Sequence, residues 1–326
     1  MVSPNNSPFI DEYINSVDQH LQKLLDTDNP LLSQIGNYIC QSGGKRVRAV
    51  LLLLCSQLAG FQGQKERIVH LASIIEFIHA ATLLHDDVID NAHMRRGNPS
   101  ANRKWGNQLP VLVGDYLYAK SFFFLVKDNN TTIMETVSSS VATITDGEIL
   151  QLQKSANFSI SEKEYIEIIT KKTSVLMAAS CKIGAILGDV SQEKVDALYN
   201  FGIDIGIAFQ LIDDMLDYTS QETKLGKPVY NDLKGGNCTL PLIYTLQHAS
   251  PAELTRINKI LFQEEYSDEE LSWVGQLIKR HKADQYTLDR ARWYVQSAQQ
   301  RLSIFTNSDY RQYLIDLSDY IIHRDF

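Results

Sequence analysis

Apolar positions recur at helical spacing along most of the chain. Ile10, Ile14, Val17, Leu21 and Leu24 fall on one face, and the turn-forming run Asp26–Pro30 ends that segment. Leu31–Cys40 reads as a second helical segment, running into Ser42-Gly43-Gly44. Ala49–Leu58 is almost wholly apolar and is closed by Gly60 and Gly63. Residues 65–93 predict one long helix, apolar in its middle. Arg96–Pro110 contains two prolines, two glycines and three asparagines and reads as a loop. Helical spacing returns over residues 111–126 and breaks at Lys127–Thr131. Ser161 with Glu164, Ser250 with Glu253 and Ser267 with Glu270 each match a capping box, so each predicts a helix start. Residues 199–218 predict another long apolar helix, and Thr219–Pro241 is the longest loop candidate. No strictly alternating stretch is long enough to predict a sheet. With no low-complexity linker, the pattern predicts one all-α domain over residues 1–326, with residues 1–14 a loose N-terminal segment.

Composition narrows the class. The chain has 326 residues, of which 44% are apolar, enough for a large core. Its 31 Lys and Arg against 39 Asp and Glu give a net charge of −8, which argues against a nucleic-acid-coating protein. Cys40, Cys55, Cys181 and Cys238 are scattered without metal-ligand or disulfide-framework spacing, which fits a reducing cytoplasm. The longest uninterrupted apolar run, Ala49–Cys55, is far short of the ~20 residues that cross a bilayer. The first residues show neither a basic nor an apolar signal region, so a cytoplasmic protein without a membrane anchor is expected.

The most informative feature is acidic. Asp86-Asp87-Val88-Ile89-Asp90 and Asp213-Asp214-Met215-Leu216-Asp217 share the pattern D-D-x-x-D, each inside a strongly apolar helical stretch. On a helix the first and last aspartates of each motif lie one turn apart on one face. Like charges at that spacing destabilise an isolated helix by a few tenths of a kcal/mol. Beside apolar neighbours such as Phe77, Leu84, Phe209 and Leu211, uncompensated carboxylates cost several times more. A divalent cation with an all-oxygen shell compensates them, and Mg²⁺ also shares its shell with phosphate oxygens. Neither copy has the glycine turn and terminal glutamate of an EF-hand.

Basic groups lie near both motifs. Gly43-Gly44-Lys45-Arg46-Val47-Arg48 opens a helix, with Lys45 and Arg48 able to share a face and the glycines allowing close approach of a phosphate. Arg95-Arg96-Gly97 follows the first motif, Lys171-Lys172-Thr173 opens an apolar run, and Lys227 follows the second motif. Singly, each is an ordinary helix-end feature. Together, in an acidic protein, they suit a substrate carrying diphosphates.

The stretches IHAATLLHDDVIDNAHMRRG, VLVGDYLYAKSF, DGEILQLQ and FQLIDDMLDYTSQETKLGKP, with GGKRVR before them, resemble the trans-isoprenyl diphosphate synthases. The resemblance runs from about residue 15 to the C-terminus. It implies an all-helical bundle around a deep apolar cavity, a homodimer, and Mg²⁺-dependent condensation of an allylic diphosphate with isopentenyl diphosphate. By position, Asp86, Asp87 and Asp90 would hold Mg²⁺ on the allylic diphosphate. Asp213 and Asp214 would hold a further Mg²⁺, with Asp217 in support. Arg95, Lys172, Thr173, Gln210 and Lys227 would contact the allylic diphosphate, and Lys45, Arg48, His79 and Arg96 the isopentenyl diphosphate. His79 reads either as a packed core histidine or as this ligand, two turns before Asp86. Gln151 is a candidate partner for a metal-bound water or a carboxylate. The chain departs from many relatives at Ala49, where proline is common, and at Asn237, where lysine is common.

The resemblance also bears on product length. Ala81 and Thr82, five and four residues before Asp86, stand where short-chain relatives carry a bulky aromatic residue. Small residues there imply a product of C30 or longer, closest in look to C40 for a quinone side chain. Phe122, Phe123 or Phe124 is the candidate floor of the cavity. A class I terpene cyclase or squalene-type synthase is the competing enzyme reading. A non-catalytic subunit of a heteromeric synthase is the competing reading of another class.

Overall fold

The computed structural model describes residues 7–41, 45–155, 157–219, 230–263 and 265–323. The described residues are almost entirely helical, as the spacing predicts. The order is α1 (Pro8–Leu25), α2 (Pro30–Gln41), α3 (Val47–Leu58), α4 (Lys65–Ile89), a two-residue hairpin of β1 (Met94–Arg95) and β2 (Asn98–Pro99), α5 (Ala101–Trp105) and α6 (Gln108–Asp128). Then follow α7 (Thr131–Lys154), α8 (Glu162–Ile169), a π-helical turn (Thr170–Ser174), α9 (Val175–Leu187) and α10 (Gln192–Thr219). The chain continues through α11 (Asn231–Lys234), α12 (Leu240–His248), α13 (Pro251–Leu261), α14 (Asp268–Arg280), α15 (Ala283–Arg301) and α16 (Asp309–His323).

Local chemistry sets several boundaries. All three predicted capping boxes form, at the starts of α8, α13 and α14. The segment read as a loop from Arg96 to Pro110 instead holds β2 and the short α5, and α6 starts at Gln108. Its glycines still punctuate it: Gly97 and Gly106 have φ of 77° and 75°, a region that side chains with a Cβ avoid.

Contacts group the chain into two units that interleave along the sequence. One comprises Met1–Ala142, Leu176–Gly202 and Arg301–Leu317; the other comprises Thr143–Val175, Ile203–Gln300 and Ser318–Phe326. In the first, α4 is the central element, packed by α1, α2, α3, α5 and α6. It buries Leu71, Ile74, Ile75, Phe77 and Ile78 completely, each contributing about 1.5–3 kcal/mol of hydrophobic stabilisation. Gly114 of α6 lets the His85 ring of α4 lie against it; a Cβ there would collide with that ring.

Counting only uninterrupted apolar runs understated three helices. By length and composition α4, α6 and α10 could each cross a membrane, with 72%, 33% and 61% of the relevant stretch buried inside the protein. The apolar character of α4 and α10 is therefore largely core. That of α6 is largely surface: Leu112, Phe123 and Val126 are 62%, 52% and 63% exposed.

Candidate active site

The first aspartate motif ends α4, and the helical period divides its members. Phe77, Ala80, Ala81, Leu84 and Asp87 form the buried stripe, so Asp87 continues the core face and is 0% exposed. His79, Thr82 and Asp86 are partly open on the neighbouring face, and Asp90 is exposed. Asp87 is held by Arg95 of β1, whose Nε donates to Oδ1 (2.7 Å) and whose Nη2 lies 2.6 Å from the same oxygen. Its Oδ2 has no hydrogen-bond partner among the described residues. Asp87 is thus the buried partner of Arg95, whereas Asp86 is partly open and Asp90 exposed.

The same unit gathers Arg48, His79, Arg95 and Arg96. Burial, then the fields of Arg48, Arg96, Arg95 and Arg46, holds the His79 imidazole well below its ordinary range, so it is neutral at physiological pH. Burial pushes the Arg48 guanidinium down to about 10. Burial and then Arg95 and Arg46 lower Arg96. Neither Arg48 nor Arg96 makes an ion pair among the described residues, and the Arg48 Nε is buried without a hydrogen-bond partner. Two mutually repelling guanidiniums beside a neutral imidazole make an anion site. Lys45 is exposed at the head of this segment. Gly43, Gly44 and Lys227 lie outside the described residues.

The second motif lies near the end of α10, in the other unit. Gln210 and Asp213 are partly open, whereas Asp214 and Asp217 are buried. Tyr165 of α8 donates to Asp214 Oδ2 (2.5 Å), and Gln210 Nε2 donates to Oδ1 (2.7 Å). Thr173 Oγ1 donates in turn to Gln210 Oε1 (3.0 Å). Asp217 Oδ2 accepts the backbone amide of Asp232 (3.0 Å). Burial, against these hydrogen bonds and with Asp213 and Asp217 adding repulsion, raises the Asp214 carboxyl to about 7. Of this trio, Asp213 is the accessible carboxylate.

Lys172 and Thr173 sit in the π-helical turn, a geometry that often marks functional sites. Lys172 Nζ is 2.6 Å from Glu148 Oε2 of α7. Gly147 makes this approach possible, since a Cβ there would lie 2.8 Å from the Lys172 amide nitrogen. Gln151 Nε2 donates to Asn237 Oδ1 (3.2 Å). Tyr165 on Asp214, Glu148 on Lys172 and Arg95 on Asp87 are contacts that the sequence pattern does not predict. Only Glu148, within the motif stretch DGEIL, carried a signal.

The donor set fits a divalent cation. Within each unit the candidate ligands are all carboxylates: Asp86 and Asp90 stand one turn apart in the first, and Asp213 lies beside the buried Asp214 in the second. Among the described residues no three acidic, His or Cys side chains form a closed cage. The ion would complete its shell with water and substrate oxygens, as Mg²⁺ does.

A model of the polyprenyl synthetase family matches residues 29–278. The chain belongs to that family. It is 35% identical over 318 residues to heptaprenyl diphosphate synthase component 2 of Bacillus subtilis, covering 98% of this chain and 90% of that protein. It is 35% identical over 309 residues to octaprenyl diphosphate synthase of Escherichia coli, covering 95% of each. Among solved structures, polyprenyl synthase from Caulobacter crescentus complexed with calcium and isoprenyl diphosphate superposes with a TM-score of 0.93 at 33% identity, covering 98% of this chain and 96% of that one. The chain is thus an all-α prenyltransferase of the isoprenoid synthase type, acting on isoprenyl diphosphates with a divalent metal.

The chain-length candidates divide. Ala81 is fully buried, and Thr82 is partly buried, its hydroxyl donating to the His79 carbonyl (2.7 Å). Phe123 is turned to the outside, under Lys127 Nζ at 4.4 Å, which corrects its assignment to a cavity floor. Phe124 is the ring directed at α4, edge-on to His70 with centroids 5.0 Å apart. Phe122 is partly buried.

Proposed function

We propose that this enzyme extends an allylic diphosphate, farnesyl diphosphate first, with successive isopentenyl diphosphates to an all-trans polyprenyl diphosphate. The product is C30 or longer, with C40 as the specific expectation, and supplies a quinone side chain. The observation that carries this reading is the Arg48–His79–Arg96 group. It is a diphosphate site distinct from the aspartates, and a cyclase with one diphosphate substrate has no use for it.

Asp86 and Asp90 would hold one Mg²⁺ and Asp213 a further one; bound Mg²⁺ supplies charge neutralisation for a leaving diphosphate. Lys172, Thr173, Gln210 and Lys227 bind the allylic diphosphate, with Asp214 and Tyr165 fixing the Gln210 amide. Arg95, oriented by Asp87, adds a fixed positive charge where negative charge develops. Arg48, Arg96, Lys45 and the neutral His79 orient the isopentenyl diphosphate. The allylic C–O bond breaks, the isopentenyl double bond attacks the allylic carbon, and a proton leaves to the released diphosphate. No protein nucleophile is required.

The exposed apolar stripe of α6 supports a homodimer, because Leu112, Phe123 and Val126 on a solvated monomer would be an unusual cluster. A cytoplasmic enzyme without a membrane anchor agrees with the buried apolar faces of α4 and α10. A two-component synthase is the second reading, favoured by the relative named component 2. The test is incorporation of labelled isopentenyl diphosphate into an acid-labile allylic product, with and without a chelator. Metal-dependent incorporation by the purified chain supports the proposal. Primer conversion to a hydrocarbon without incorporation indicates a cyclase, and no turnover by the chain alone indicates a missing component.

A further inference from the structure

Arg46 has no part in the ligand set above, yet its placement is unusual. Its backbone is left-handed (φ 47°, ψ 37°), a region that non-glycine residues avoid. Its carbonyl accepts the first helical hydrogen bond of α3, from Val50 (2.9 Å). Arg46 therefore sets where α3 starts and which way Arg48 leaves the helix.

Three helices hold the side chain. Nε donates to Asp18 of α1 (2.9 Å), Nη1 to Glu76 of α4 (3.0 Å) and Nη2 to the Cys40 carbonyl of α2 (2.6 Å). Glu76 is 4% exposed and lies one turn before His79. A planar fork with divergent donors can make these three contacts together; an ammonium cannot reproduce that geometry. The left-handed backbone thus persists because its side chain is fixed at three points.

We propose that Arg46 is a positioning residue for isopentenyl diphosphate: locked by Glu76 and Asp18, it fixes the start of α3 so that Lys45 and Arg48 meet the diphosphate beside His79. This rests on the assignment of Arg48, His79 and Arg96 to that substrate.

The test is two-substrate steady-state kinetics on the full-length enzyme, with thermal melting of each variant. Arg46→Gln is expected to raise the KM for isopentenyl diphosphate at least tenfold and to leave the allylic KM within twofold. Arg46→Lys restores less than half of that loss. Asp18→Asn, which breaks only the more exposed arm, raises the same KM two- to fivefold and guards against a folding failure of the stronger variant. Glu76→Gln separates positioning from direct contact. If Arg46 acts by being held, releasing it raises the isopentenyl KM. An isopentenyl KM that falls or stays unchanged in Glu76→Gln overturns the proposal, as does an Arg46→Gln effect shared equally by both substrates. Arg48→Gln tests the underlying assignment separately: if it leaves the isopentenyl KM unchanged, the site is misassigned, whatever Arg46 does.

Discussion

Replacing Asp87 with asparagine distinguishes an anchor from a metal ligand. The substitution keeps the volume but removes a fully buried charge that faces Arg95 at 2.6 Å. Breaking a buried ion pair costs about 3–5 kcal/mol. Arg95 is 24% exposed and can turn toward water, so the lower end, about 3 kcal/mol, applies. With an unfolding entropy of about 2.1 cal/mol/K per residue, or roughly 0.7 kcal/mol/K for this chain, Tm falls by about 4 °C. The assay is thermal melting with and without Mg²⁺. Asp87→Asn should lower Tm equally in both conditions. Asp86→Asn, at a partly open position, should leave the metal-free Tm within about 1 °C and reduce the Mg²⁺-induced rise. An Asp87→Asn protein that melts like the parent without metal and no longer responds to Mg²⁺ would refute the division of the motif.

Three further outcomes follow from other parts of the structure. Ala81→Phe should shorten the product by several isoprene units, read by chromatography of the dephosphorylated product; an unchanged length removes Ala81 from the chain-length reading. The Asp214 carboxyl, raised to about 7 from an ordinary value near 4, binds a proton more tightly in the fold than in the unfolded chain. Its contribution is therefore fully present below about pH 4 and is lost as pH rises through about 7; the charge it then carries, one residue from Asp213, strengthens cation binding there, so the Mg²⁺-induced gain in Tm should be larger at pH 8 than at pH 6. Glu164 and Glu253, both lowered to about 2, do not obscure this window, because their contributions are lost only in acid. A larger gain at pH 6 would contradict the sign. Leu112→Asp on α6 should shift sedimentation from dimer to monomer, whereas an unchanged dimer would place the interface elsewhere.

The features legible in the sequence were local ones. Ser161, Ser250 and Ser267 announced their helices because both halves of a capping box lie within one turn. The aspartate motifs and Arg95-Arg96 were legible because their spacing is itself the signal. What stayed hidden depends on which face of a helix turns inward. Asp86 and Asp87 are adjacent, yet one is accessible and the other sealed, because α4 buries the stripe through Phe77 and Leu84. Likewise Tyr165 meets Asp214 across 49 positions, and Arg46 meets Glu76 across 30. Neither pair leaves a periodic trace. The three phenylalanines on α6 showed the same limit, since only the neighbouring helix reveals that Phe123 points out and Phe124 in.

Elongation of an allylic diphosphate with isopentenyl diphosphate is the activity we propose. Its most direct test is incubation with Mg²⁺, farnesyl diphosphate and labelled isopentenyl diphosphate, then chromatography of the dephosphorylated products. Labelled all-trans polyprenol of C30 or longer, with C40 dominant, is the expected product. A product that stops at C20, or primer consumed with no label incorporated, would contradict it.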